Sequence, residues 1–189
     1  MKPTAVILAA GASTRMGRPK ALLPLQGVPL VRRHEAVLAA QCSPVRVVLG
    51  AYAAEISAVL VDAIAVLNPD WSTTGPRESL LLALAGLPDT TRVVVTPVDT
   101  PPATLPALTR LIEQGHPPAA LGHAGQPGHP VLVEAGAARA ILRSGGTLRD
   151  VLGTTPHIIE AGPDVVRNLN TPEEWVAWTG AAPPGGRGA

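Results

Sequence analysis

The chain has 189 residues, 46% of them hydrophobic, with a formal net charge of +1. That length suits one domain with a full core, or one domain and a tail, and so apolar a composition excludes a disordered chain. A charge this near neutral argues against a nucleic-acid surface or polybasic membrane anchor, and no run approaches the ~18 apolar residues of a membrane span.

The first apolar run, "AVILAA" (5–10), reads as a strand and opens into the glycine-rich "GASTRMGRPK" (11–20). A helical pattern follows over 29–41; it carries His34, whose expected place is the solvent face. Cys42 is the single cysteine. It has no partner for an internal disulfide, which fits a reducing cytoplasm, and it reads as a small buried apolar group. Strand-like runs at 45–50, 63–68 and 92–99 alternate with helical patterns at 53–62, 77–87 and 103–115. Further on come runs at 119–123 and 129–135, helical stretches at 137–145 and 147–152, a run at 165–170 and a helix over 172–178. Such alternation, with strands continuously apolar, predicts a single-domain α/β fold whose mostly parallel twisted sheet carries helices on both faces. The domain is expected to span 1–178. The Gly/Pro/Ala-rich end at 179–189 has no periodicity and is expected to be a frayed tail.

In an open parallel sheet, ligands bind beyond the carboxyl ends of the strands, which is where the glycine-rich segment starts. Gly11 and Gly17 do not follow the dinucleotide pattern G-x-G-x-x-G, and Lys20 does not directly follow the second glycine as in a Walker A loop. The segment still has what an anion site needs. Glycines let backbone N–H groups approach phosphate oxygens, Ser13 and Thr14 add hydroxyl donors, and Arg15 and Lys20 supply charge. A basic surface loop is the competing reading, and a loop lysine is expected to bury little area.

"LAAGASTRMGRPKALLPLQGVPLV" resembles the signature of the MobA-like nucleotidyltransferases, roughly L-A-[AG]-G-x-[SG]-x-R-M-G-x-x-K-x-L-L-P. The matching positions are Leu8, Ala9, Ala10, Gly11, Arg15, Met16, Gly17, Lys20, Leu22, Leu23 and Pro24. The resemblance implies a Rossmann-like nucleotidyltransferase fold. It also implies a nucleotide site at Leu8, Ala9, Ala10, Gly11, Ser13, Arg15, Gly17 and Lys20, with the loop around the triphosphate.

Transfer of a nucleotidyl group onto a phosphate concentrates negative charge, so Mg²⁺ is expected, held by one or two protein oxygens. Asp99 in "VVVTPVDTPP" ends a strand; on its own it reads as a turn former. The segment resembles the family's x-D-x-P metal motif, which implies Asp99 as a ligand and a catalytic residue alongside Arg15 and Lys20. In "NLNTPEE", Thr171, Pro172 and Glu174 form a capping box that leaves Asn170 unexplained. The segment resembles the family's [DN]-x-[DN]-T-P-E-[ED] motif, which implies Asn170 as the second metal ligand. The expected position for both is just past strand ends. No Ser-His-Asp or Cys-His set stands out, and a phosphomonoester nucleophile, largely dianionic at pH 7, needs no general base.

"GQPGHPVLV" resembles an acceptor-site segment of the molybdenum-cofactor cytidylyltransferase branch, implying His129 and Pro130 in acceptor binding. "NPDWSTTGPRESL" resembles that branch's N-x-x-[WY]-x-x-G-[ML]-x-x-S-L, implying Asn68, Gly75 and Ser79 in nucleotide binding. Pro76 and Glu78 depart from it, and a carboxylate beside a phosphorylated substrate is unfavourable. Ala10 in "LAAG" implies CTP, since a glycine there accompanies guanylyl transfer. The function expected is transfer of CMP from CTP to a phosphorylated acceptor, molybdopterin first, with pyrophosphate release and a transient contact with a molybdoenzyme or its chaperone. A sugar- or polyol-phosphate nucleotidyltransferase and a non-catalytic nucleotide- or cofactor-binding accessory protein are the alternatives. Neither nucleic acid nor membrane is expected as a partner.

Overall fold

A computed structural model of the chain describes residues 2–180. The chain opens with β1 (Thr4–Ala9), an interior strand of six residues too apolar to face water on either side. After the glycine-rich loop, β2 (Pro24–Leu25) and β3 (Val28–Pro29) form a small separate hairpin leading into α1 (Leu30–Gln41). The chain then alternates through β4 (Val45–Leu49), α2 (Ala53–Ser57), β5 (Ile64–Leu67), α3 (Pro76–Leu84), β6 (Arg92–Pro97) and α4 (Leu105–Gln114). It continues with β7 (Ala119–His123), β8 (Gln126–Glu134), α5 (Ala135–Arg143), α6 (Leu148–Leu152), β9 (His157–Glu160) and α7 (Pro172–Thr179).

The seven-stranded sheet has the order β5-β4-β1-β6-β8-β7-β9, and β8 alone runs against its neighbours. Alternate residues of β1 go to opposite faces, as the two-residue period of a strand requires. Ala5, Ile7 and Ala9 join α1 and α4 through Val31, Leu38, Leu108 and Leu111. Val6 joins α3 and α5 through Leu80, Leu84, Ala138 and Leu142. Helices therefore cover both faces, as the sequence predicts, and no described helix is long and apolar enough to cross a membrane. Cys42 is buried in the first of these cores, where burial pushes its thiol up to about 12.

Four expectations are corrected. The segment 165–170 is not a strand: a 3-10 turn covers Pro163–Val166, and the Leu169 N–H bonds Asp99 O at 2.7 Å instead of joining a ladder. The strand of this region is β9, whose four residues between Pro156 and Gly162 form too short a run to stand out in sequence. The helix expected over 53–62 ends at Ser57. The Glu35 carboxylate captures the N–H groups of Val61, Asp62 and Ala63 at 2.8–3.1 Å, turning the chain early toward β5. His34 is not on the solvent face; it is buried, with Nε2 at 3.0 Å from Thr100 O. Of the expected tail, Thr179 and Gly180 are the end and cap of α7, while 181–189 lie outside the described residues.

Burial pushes the His34 imidazole down to about 4 from 6.5, so it is neutral at pH 7 and donates to the loop after β6. The unfolded chain takes up a proton near pH 6.5 and the folded one only near 4. Stability held above pH 6.5 is therefore lost as pH falls toward about 4, by up to about 3 kcal/mol. Chemical denaturation from pH 7.5 to 4.5 should show a shallower loss of stability in His34→Gln than in the wild type.

Candidate active site

The carboxyl ends of β1, β4 and β6 meet at one edge of the sheet, and a cleft of about 700 Å³ opens above them. One wall is the glycine-rich loop, with Leu8, Ala9, Ala10, Gly11, Ser13 and Lys20. The loop is shaped by two left-handed residues. Ser13 (φ 53°) accepts the Lys20 N–H on Oγ at 3.1 Å, and Gly17 (φ 71°) ends the 3-10 turn Thr14–Met16. No heavy atom lies within 4 Å of a Cβ built on Gly17, so its backbone angle, not space, calls for glycine there. Gly17 does not line the cleft; Gly11 does. Gly50 is the opposite case: a Cβ there would stand 2.4 Å from Ala10 O and 2.6 Å from Trp71 Cβ. That close approach sets the Trp71 loop against the end of β1.

Lys20 departs from the expectation of a surface cation. The residue is 7% exposed, and its Nζ donates to Asp99 Oδ2 at 3.0 Å and to Asn170 Oδ1 at 2.8 Å. Arg15, which is exposed, reaches the same Asn170 oxygen at 3.3 Å. Ser13, Thr14, Arg15, Lys20, Asp99 and Asn170 thus enclose a second recess of about 150 Å³, joined to the cleft through Ser13, Lys20 and Asp99. Asp99 follows the end of β6 by two residues, as expected. Asn170 follows no strand, and other forces bring it there. The Leu169–Asp99 backbone bond holds one side. Glu174 of α7 accepts the Asn170 N–H at 2.5 Å and the Thr171 N–H at 3.1 Å, so the capping box orients Asn170 as well as the helix. Met16, Leu23, Leu30, Leu169 and Trp175 form a small core of their own, packing α7 onto the underside of the loop. A carboxylate and an amide oxygen that share one ammonium are hard oxygen donors, and such a donor set fits a divalent cation.

The other wall comes from the loop before α3 and from α5–α6. Trp71, Thr74, Gly75 and Ser79 line it, whereas Asn68 does not. Asn68 is buried and its amide is spent locally, donating to Thr74 Oγ1 at 3.0 Å and Ser79 Oγ at 3.1 Å and accepting from Asp70 N–H at 3.1 Å. Pro76 and Glu78 are accounted for by the start of α3. Pro76 takes the first helical position, and Glu78 accepts the Gly75 N–H at 2.9 Å while Arg77 pairs with its other oxygen. The Gly75 N–H first, then Arg77, holds the Glu78 carboxyl below its usual range. Its charge is thus neutralised, and Glu78 is absent from the cleft wall.

His129 is in the wall and Pro130 is buried behind it. Burial lowers the His129 imidazole to about 4, with Asp99 opposing the shift, and Nδ1 is buried without a partner. At pH 7 His129 is therefore a neutral ring with one buried nitrogen left unpartnered. Sequence reading did not reach the α5–α6 contribution, where Leu142, Leu148, Arg149 and Leu152 close the far end. The Thr147–Asp150 capping box is legible and marks where α6 starts, but nothing local says that α6 faces the cleft.

Asn68→Ala removes three hydrogen bonds from a buried site, each worth about 1 kcal/mol net. It should lower unfolding free energy by about 2–4 kcal/mol in urea titration. An unchanged midpoint would show that the amide is not what holds the loop.

Comparison with known proteins bears on this geometry. The chain is 34% identical, over a 196-residue alignment, to a molybdenum cofactor guanylyltransferase of Rhodobacter capsulatus, covering 92% of this chain and 93% of that one. It is 36% identical over 151 residues to nicotine blue oxidoreductase of Paenarthrobacter nicotinovorans, covering 73% and 74% respectively. A crystal structure from Mycobacterium sp. strain JC1, a homologue of a Mycobacterium tuberculosis protein, superposes with a TM-score of 0.77 at 27% identity, over 94% of each chain. Residues 5–158 match the MobA-like NTP transferase domain, and the chain belongs to that family of nucleotidyltransferases.

Proposed function

We propose that this protein transfers CMP from CTP to a phosphorylated small-molecule acceptor, molybdopterin cofactor first, with release of pyrophosphate. The observation that carries the reading is the meeting of Lys20, Asp99 and Asn170 beside the glycine-rich loop, at the edge of a cleft of about 700 Å³. In this reading the loop N–H groups, Arg15 and Lys20 hold the triphosphate and neutralise charge as it shifts onto the leaving pyrophosphate. An acceptor phosphate oxygen bonds the α-phosphorus in line, and the α–β bridging bond breaks. Asp99 and Asn170 would hold Mg²⁺, which when bound supplies further neutralisation of phosphate charge. The acceptor phosphate already carries its negative charge at pH 7, so neutral His129 serves in acceptor binding and not as a base.

The cytidine choice rests on Ala10. Ala10 lines the cleft and packs in one cluster with Trp71 and Leu80, and in this reading its methyl group narrows the space for a base. The Rhodobacter relative's name favours a second reading, guanylyl transfer by the same machinery. The acceptor implies use in the cytoplasm, with product handed to a molybdoenzyme or its chaperone.

Pyrophosphate release with CTP and with GTP, in Mg²⁺ and molybdopterin, tests these readings. CTP should be turned over faster, and Ala10→Gly should narrow the gap; equal rates or a preference for GTP would reject the cytidine assignment. Asp99→Ala should reduce turnover at least 100-fold, because it removes the only formal negative charge among the proposed metal ligands, while Asn170→Asp should retain it. Turnover unaffected by Asp99→Ala would reject the proposed metal site.

A further inference from the structure

The Lys20 ammonium lies between the two oxygens assigned to the metal, 3.0 Å from Asp99 Oδ2 and 2.8 Å from Asn170 Oδ1. Mg²⁺ bonds such oxygens at about 2.0–2.1 Å. Both oxygens already point their lone pairs at the ammonium. A divalent ion bonded to both would stand against Nζ with charge of the same sign, so the two cations are alternatives. Arg15, on Asn170 Oδ1 at 3.3 Å, adds to the repulsion.

Lys20 cannot leave at no cost. Its side chain is 9% exposed and its N–H is held by Ser13 Oγ, so a withdrawn ammonium needs another anion within reach of a fixed backbone. The glycine-rich wall it shares with the cleft is where, in the reading above, a triphosphate brings that anion. We propose that Lys20 is a stand-in cation: it keeps Asp99 and Asn170 together and excludes a divalent ion until a nucleoside triphosphate draws the ammonium away. Metal and nucleotide then bind with positive coupling, and each strengthens the other by the same factor. Lys20 acts on the metal as a positioning residue in addition to its contact with phosphate. This inference rests on the nucleotide reading of the cleft.

Titrating Mn²⁺ into nucleotide-free protein, with the free ion followed by electron paramagnetic resonance, tests it without turnover. Lys20→Met removes the charge and keeps the length; it should bind one Mn²⁺ at least tenfold more tightly than the wild type. Lys20→Arg should still exclude the ion, and adding Asp99→Asn to Lys20→Met should abolish the gain. In the unaltered protein, Mn²⁺ should bind at least tenfold more tightly to a preformed complex with CTP than to the nucleotide-free chain. If Lys20→Met fails to fold by circular dichroism, Lys20→Gln, which also removes the charge, is read in its place, because CTP phosphates ligate Mn²⁺ themselves and the CTP arm alone does not isolate Lys20. Equal Mn²⁺ affinity in wild type and folded Lys20→Met, or no effect of CTP, would overturn the proposal. Pyrophosphate release by the wild type is read separately: its absence would remove nucleotidyl transfer and leave the Lys20→Met comparison standing.

Discussion

Three segments far apart in sequence converge on one charge, the ammonium of Lys20, which Asp99 and Asn170 share. A lysine buried to this extent needs its charge met largely by protein groups in place. That requirement couples the glycine-rich loop, the end of β6 and the entry to α7. The Leu169–Asp99 backbone bond and the Met16–Trp175 cluster serve the same join from either side. The sheet supplies the edge on which these parts can meet, since β1 and β6 are parallel neighbours and deliver their carboxyl ends together.

The same economy appears at the helix ends. Arg46 donates to the last carbonyls of α3, Arg92 to those of α4, and Arg139 to Leu84 at the end of α3. These cations satisfy orphan carbonyls and favour the negative end of the helix dipole. At the helix starts, Glu78, Asp150 and Glu174 each accept the N–H of the residue just before the helix: Gly75, Thr147 and Thr171. Much of the charge in this chain is therefore structural. Arg15, Arg77, Arg149 and Lys20 differ in lining the cleft or its recess; of these, Arg77 pairs with Glu78 and Lys20 with Asp99.

Sequence reading reached what local chemistry announces. The glycine-rich loop, the strand that leads to Asp99 and the capping box after Asn170 all show their residue types at the spacing their geometry needs. The layered α/β architecture follows from apolar runs whose alternate residues must be buried on both sides. Facts of tertiary packing lay beyond it. His34 has an ordinary helical neighbourhood, and only the Asp99–Thr100 loop lying over α1 buries it. Asn68 matches a binding motif, but its amide turns inward because Thr74 and Ser79 fold back onto it. β9 has four residues and becomes a strand because β7 offers a free edge. The burial of Lys20 was equally invisible, since it depends on a residue 150 positions away.

The most direct test of this account is a crystal structure with Mg²⁺ and a non-hydrolysable CTP analogue. The result expected is Lys20 Nζ on a phosphate oxygen, with Mg²⁺ bound to Asp99 Oδ and Asn170 Oδ1 in place of the ammonium. A structure in which nucleotide fills the cleft while Lys20 still bridges Asp99 and Asn170, with the metal bound elsewhere, would contradict it.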